Sequence, residues 1–256
     1  MIEVEQYRRA AERAVGRTVR RIDAPDDWYL KGATTAPALQ SALRQATITG
    51  ARRIGKLLLL DTDGPCLGLR FGMTGRLLVD GHGPIERLEY ASARVEPGWI
   101  RFALAFEGGG RLEMVDPRRL GGVVLDPLLD HLGPDALTIG PSALRDALAV
   151  SAAPVKAWLL DQHRIAGVGN LLADEALWRA GLDPARPARS LTPAEARRLH
   201  KHLVVTITEL GDRGGSHLGD LQVARVRGAL CPRDGAPLLR RTIGGRTTYS
   251  CPRHQR

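Results

Sequence analysis

The chain predicts an α+β protein, and three observations predict it. Between Thr18 and Val124 the apolar residues come in short runs broken by turn residues, the pattern of β-strands. From Ser142 to Leu210 they recur at helical spacing instead. The last 26 residues, Cys231 to Arg256, hold two Cys-Pro-Arg-x quartets around a glycine turn, the pattern of a β-hairpin. At 256 residues the chain has room for one large or two modest domains with an ample core.

In order, Glu3 to Val15 places Val4, Tyr7, Ala11, Ala14 and Val15 on one helical face, and Gly16 can end that helix. The clearest strands are Lys56–Asp61, Cys66–Phe71, Trp99–Phe106, Arg111–Val115 and Gly121–Leu125, with Gly108-Gly109-Gly110 as a hairpin loop. Several short strands separated by turns suggest a sandwich or barrel. A second helix is expected near Pro37–Gln45. Asp126 to Pro141, with its prolines and glycines, reads as a linker. Helices are then expected over Ser142–Leu148, Pro154–Asp161 and Leu171–Ala180, the last closed by Gly181. Thr192-Pro-Ala-Glu195 is a capping box with proline at the first helical position. The helix it starts is expected to stop at Gly211.

Within Cys231–Arg256 the quartets Cys231-Pro-Arg-Asp234 and Cys251-Pro-Arg-His254 flank 16 residues, and Ile243-Gly-Gly-Arg246 reads as the turn between two strands. Two pairs of potential donors on one hairpin match the demand of tetrahedral zinc for four N, S or O ligands. Cys231, Asp234, Cys251 and His254 are the candidate ligands of one structural Zn2+. The competing reading is a metal-free hairpin. Either way it carries Arg240, Arg241, Arg246, Arg253 and Arg256, a surface for polyanions.

Charge is uneven. The net charge is +9, and residues 183–256 hold 14 Lys/Arg against 6 Asp/Glu, so that segment supplies +8. A basic C-terminal part on a neutral body suggests nucleic acid. Three cysteines, an odd number, with no signal sequence point to a reducing compartment, and a cytoplasmic, nucleoid-associated location is expected. No apolar run approaches the roughly 18 residues of a membrane span.

Several glycine-flanked loops carry residues suited to chemistry. Gly167-Val-Gly-Asn170 lies between two helices, with Asn170 placed to cap the second and its exposed amides to bind phosphate. A purely structural helix-turn-helix is the alternative. Gly72-Met73-Thr-Gly75 presents Met73 at a bend between strands, where methionine is ordinarily core filler. Asp116-Pro-Arg118-Arg119-Leu120-Gly121 is either an exposed turn over a buried Asp116 or a probe. As a probe, guanidiniums would meet phosphate or base edges and leucine would wedge into a stack. Arg52-Arg53-Ile-Gly55-Lys56 opens an apolar strand, and Lys56 is a strand-edge lysine, a phosphate contact or an amine nucleophile.

Together these segments resemble the Fpg/Nei family of DNA glycosylases (formamidopyrimidine-DNA glycosylase and endonuclease VIII). The matching pieces run nearly end to end: Glu3-Val-Glu5 with Arg8-Arg9, Gly55-Lys56 through Leu60, Phe71 to Gly75, Asp116 to Gly121, Leu160-Asp-Gln with Gly167 to Asn170, and Gly245 to Gln255. The resemblance implies an N-terminal β-sandwich with a leading helix over 1–126, a helix-two-turn-helix DNA-binding domain over 127–225 and a zinc-finger hairpin over 226–256. It implies a monomer acting in base-excision repair on duplex DNA with a damaged base or abasic site, the damaged nucleotide flipped out. Asn170 and Arg246 would grip phosphates. Arg118, Leu120 and Met73 would fill the gap left by the extruded base, and Arg119 and Lys156 join them as DNA contacts. Lys56 would contact phosphate and assist at the abasic sugar.

The family's mature chain typically opens Pro-Glu-Leu-Pro-Glu-Val-Glu, with the proline amine as nucleophile and the next Glu handling protons. This chain opens Met1-Ile2-Glu3-Val4-Glu5, and aligning Glu3-Val-Glu5 leaves no residue for either role. An upstream Pro-Glu lost from the recorded start, a variant without the usual nucleophile, and a re-spaced end with Glu3 as the acid are three explanations. The amine of Met1, or Lys56, could then form the imine with an abasic site. Binding to damaged DNA without cleavage is the alternative function. The connection from Gly214 to Gly228 is also shorter than the loop that closes over the flipped base in many members, so lesion preference does not carry over.

Overall fold

The structure, a computed structural model, describes residues 1–85, 88–89 and 94–256. The chain forms two compact units, Glu3–Leu129 and Asp130–Arg256, the latter with Met1–Ile2.

The first unit is a sandwich of two antiparallel four-stranded sheets. One runs β1 (Val19–Asp23), β6 (Ile100–Phe106), β7 (Arg111–Val115), β5 (Arg76–Val79); the other β2 (Ile48–Ile54), β3 (Leu57–Thr62), β4 (Leu67–Arg70), β8 (Gly122–Leu125). Leu58, Leu60, Leu67, Leu69 and Val123 from one sheet meet Val19, Ile22, Phe102, Leu104, Phe106, Leu112 and Met114 from the other in one apolar cluster. Helix α1 (Ile2–Ala11) adds Val4, Tyr7 and Ala11 to it, and α2 (Ala36–Leu43) adds Leu39 and Leu43.

Strands β1, β2 and β5 are not evident from the sequence pattern. Each is the edge of its sheet; β1 and β2 carry solvent-facing arginines, the usual protection of an edge against stray pairing, while β5 is only four residues long and its Arg76 is buried. Charge in β1 and β2 masks the alternation. Gly55 and Lys56 do not open a strand but form the turn between β2 and β3, with Gly55 at φ +58°.

The second unit packs α3 (Pro141–Ala149), α4 (Val155–Leu160), α5 (Asn170–Ala180) and α6 (Pro193–Arg213) around Leu144, Leu148, Trp158, Leu172, Leu199 and Leu203. The hairpin β9 (Leu239–Ile243) and β10 (Arg246–Ser250) turns at Gly244-Gly245. The Thr192 capping box is formed: its hydroxyl accepts from the Glu195 N–H, and Glu195 accepts from the Thr192 N–H. Helix α6 runs past Gly211 to Arg213, because the left-handed stop at φ +110° is taken by Gly214. Among the described residues no helix is long and apolar enough to cross a membrane.

Candidate nucleic-acid interface and metal centre

In the sandwich unit the loops Phe71–Gly75 and Asp116–Gly121 are held together from below. Asp116 is fully buried, and its carboxylate accepts from Thr74 Oγ1 (2.5 Å), the Gly121 N–H (2.8 Å) and the Arg118 N–H (3.2 Å). Tyr7 of α1 donates its hydroxyl to the Gly75 carbonyl (3.1 Å). At Gly72, φ is +58° and a Cβ would come 2.6 Å from that of Leu120, so only glycine lets the loops approach this closely. Above this base Met73 is 50% exposed and Leu120 44%, with Arg118 exposed beside them. A half-exposed methionine is not core filler. Arg119 is differently placed. At φ +57° its guanidinium clasps the Asp26 carboxylate (2.5 and 2.7 Å), so it is committed within the protein. Burial would raise Asp26, but Arg119 and Arg101 hold it below the usual carboxylate range.

Lys56 is exposed in its hairpin turn. Glu3 is half-buried in the first turn of α1. Burial and the Glu3 charge push the Tyr7 phenol up. Met1 is 7% exposed and packs, with Ile2, among the apolar residues of the helical unit.

In the helical unit the hairpin turn lies against α4, with Ala157 3.1 Å from where a Cβ on Gly244 would stand. Asn170 does not cap α5. Gly169 is the cap residue, and Asn170, in the first turn, donates its Nδ2 to the Thr247 carbonyl (3.1 Å) across the gap to β10. Its Oδ1 has no partner among the described residues. Arg246 begins β10 with an exposed guanidinium that reaches back to the Gly245 carbonyl (3.4 Å). Asn170 and Arg246 thus flank the same bend of the hairpin.

Lys156, expected at the DNA, is fully buried. Its ammonium donates to Thr248 Oγ1 (2.7 Å) and the Thr247 carbonyl (3.2 Å) and pairs with Asp174 (2.7 Å). Arg225 pairs with the other oxygen of Asp174 and lies 5.4 Å over the Tyr249 ring. Burial, Arg225 and Arg246 lower the Lys156 pKa, and Asp174 opposes them. Lys156 therefore fixes the hairpin to α4 and α5 rather than reaching for phosphate. The sequence could have hinted at this, since Lys156 sits between Val155 and Trp158 on a short helix buried nearly all round.

Cys231, Asp234, Cys251 and His254 are brought together, one donor atom from each, all within 4.8 Å of one another. Tetrahedral bonds of about 2.0–2.3 Å put donors roughly 3.3–3.8 Å apart. The Cys251 Sγ–Asp234 (3.2 Å) and Cys231 Sγ–His254 Nδ1 (3.8 Å) separations match that span, and His254 Nδ1–Asp234 (2.7 Å) is tighter. Each quartet is closed by an amide, Gly235 N–H to Cys231 O (2.9 Å) and Gln255 N–H to Cys251 O (3.1 Å). Surrounding groups aim the donors. Trp178 Nε1–H points at Cys231 Sγ (3.3 Å), and His254 Nε2 faces the Trp178 carbonyl (3.2 Å), leaving Nδ1 for a metal. The donor set fits Zn2+.

A β-sandwich, a helical unit with a glycine-turned helix start, and a four-donor hairpin together make the architecture of the helix-two-turn-helix DNA glycosylases. The family model described as the formamidopyrimidine-DNA glycosylase N-terminal domain matches residues 1–123, and that of the formamidopyrimidine-DNA glycosylase H2TH domain matches residues 132–219. A formamidopyrimidine-DNA glycosylase of Thermus thermophilus is 37% identical over 280 residues, covering 98% of this chain and 96% of the relative. One from Paracoccus denitrificans is 35% identical over 98% of this chain and 97% of its own. Among solved structures, the Lactococcus lactis enzyme, non-covalently bound to DNA containing an AP site, superposes with a TM-score of 0.83 at 26% identity, covering 100% of this chain and 99% of that one. The MutM (Fpg) protein of Thermus thermophilus gives 0.79 at 36%, covering 100% and 98%. The chain belongs to the formamidopyrimidine-DNA glycosylase family.

Proposed function

We propose that this protein acts in base-excision repair, binding duplex DNA that carries a damaged base or an abasic site. The observation that carries the reading is the pair of loops fastened on buried Asp116, which hold Met73, Arg118 and Leu120 out at one place. Two apolar side chains beside a guanidinium suit the gap left when a nucleotide leaves the stack. Asn170 and Arg246 serve the sugar–phosphate chain, and one structural zinc on Cys231, Asp234, Cys251 and His254 fixes the hairpin that carries Arg246. A zinc there would lock the two quartets together.

For strand cleavage the side chain best placed to serve as an amine is Lys56, exposed where Met1 is buried. Its neutral amine would add to C1′ of the open abasic sugar and expel water to give an imine, after which loss of the C2′ proton eliminates the 3′ phosphate. Glu3 is the nearest match to the family's proton-handling carboxylate.

The test is incubation with an abasic duplex and borohydride. A covalent complex in the wild type, lost in Lys56→Ala, is the expected result. A complex that survives Lys56→Ala moves the nucleophile to another amine of the chain. Tight, lesion-selective binding with no complex from either protein leaves recognition without cleavage.

A further inference from the structure

Trp28 stands 67% exposed, an unusual place for the largest apolar side chain. It lies in a single 3-10 turn, Asp27–Tyr29, whose next residue is the anchor. Tyr29 is fully buried, with its hydroxyl so close under Gly121 that a Cβ there would come within 2.4 Å. Further bonds tie this turn to the Asp116–Gly121 loop and β8. Asp26 holds Arg119 (2.5 Å), and the Lys31 N–H donates to the Val123 carbonyl (2.8 Å). The Lys31 ammonium donates to the Trp28 carbonyl (2.5 Å) and lies 5.0 Å over the indole. The turn is therefore fastened to the segment that carries Arg118 and Leu120, and it holds an indole out with a cation beside it.

We propose that Trp28 is a stacking platform for a nucleobase of the DNA engaged by Met73, Arg118 and Leu120, widening the contact beyond the wedge itself. An indole face offers a base stacking energy that does not depend on sequence. The exposed Asp27 carboxylate offsets the Lys31 ammonium beside the indole, so the exposed ring rather than net charge is what the turn offers a ligand. The inference rests on the DNA-binding reading above.

The experiment compares wild type, Trp28→Ala, Trp28→Phe and Leu120→Ala on a duplex with a tetrahydrofuran abasic analogue and on the intact duplex, by fluorescence anisotropy and tryptophan emission. Trp28→Ala should bind the abasic duplex about tenfold more weakly, with an unchanged melting temperature. Trp28→Phe should retain most of the affinity, and the long-wavelength emission quenched by DNA in the wild type should be missing from it. If the wild type and Trp28→Ala bind the abasic duplex equally and DNA leaves the emission unchanged, the inference is wrong while the function stands. If the wild type shows no preference for the abasic duplex and Leu120→Ala changes nothing, the DNA-binding reading falls and takes this one with it.

Discussion

Asp174 answers the buried Lys156 and the mostly buried Arg225 from the middle of α5, and its own side chain is wholly out of solvent. Removing one partner of such a pair strands the rest in a low dielectric. Asp174→Ala should therefore cost about 3–5 kcal/mol, a fall in Tm of roughly 6–20 °C by calorimetry. Replacing Lys156 by Met in the same chain should recover part of the loss. Asn170 behaves differently because its buried Oδ1 has no partner among the described residues while Nδ2 holds Thr247. Asn170→Asp puts negative charge where phosphate is expected. Affinity for an abasic duplex should drop about tenfold or more with little change in Tm, since like charges repel; unchanged affinity would remove Asn170 from the interface.

For helix α6 the relevant unit is the Thr192 box joined to Arg186. Glu195 accepts from Arg186 (2.7 and 3.1 Å) and from the Thr192 N–H (2.8 Å). Chiefly through Arg186, its pKa is brought from the ordinary 4.5 down to about 2. A carboxyl lowered on folding binds fewer protons in the native state, so its contribution is complete above the unfolded value and is lost as pH falls through the folded one. Urea midpoints should decline between about pH 4.5 and 2, and Glu195→Gln should flatten that part of the profile. On the loop pair, Gly72→Ala pushes a Cβ into Leu120 and strains a positive φ. The expected result is an intact core by circular dichroism and a several-fold weaker hold on abasic DNA.

Taken whole, the molecule should lose DNA affinity with salt, log K falling by roughly 0.9 per phosphate neutralised for each tenfold rise in salt. Metal analysis should find one zinc per chain, absent from Cys251→Ala, with the helical spectrum retained. Much of this was legible in the sequence. The Thr192 box, the Gly244-Gly245 turn and the donor quartets are local signals, and the structure places each where its residues imply, whereas the helix stop read at Gly211 falls at Gly214. Edge strands β1 and β2 were not, because arginines break their alternation, nor was β5, whose four residues are too few to show one. Nor were the distant partners of Asn170, Lys156 and Arg119, since a hydrogen bond across 77 or 93 residues leaves no mark in local spacing. Trp178 offers a practical return on this arrangement. Its indole N–H rests on Cys231 and its ring stands 5.9 Å from that of His254. Stripping the ion with a chelator should shift a sheltered, short-wavelength emission, so the protein carries its own optical gauge of metal loading, one that needs no added dye and is spectrally apart from the solvent-facing indole of Trp28.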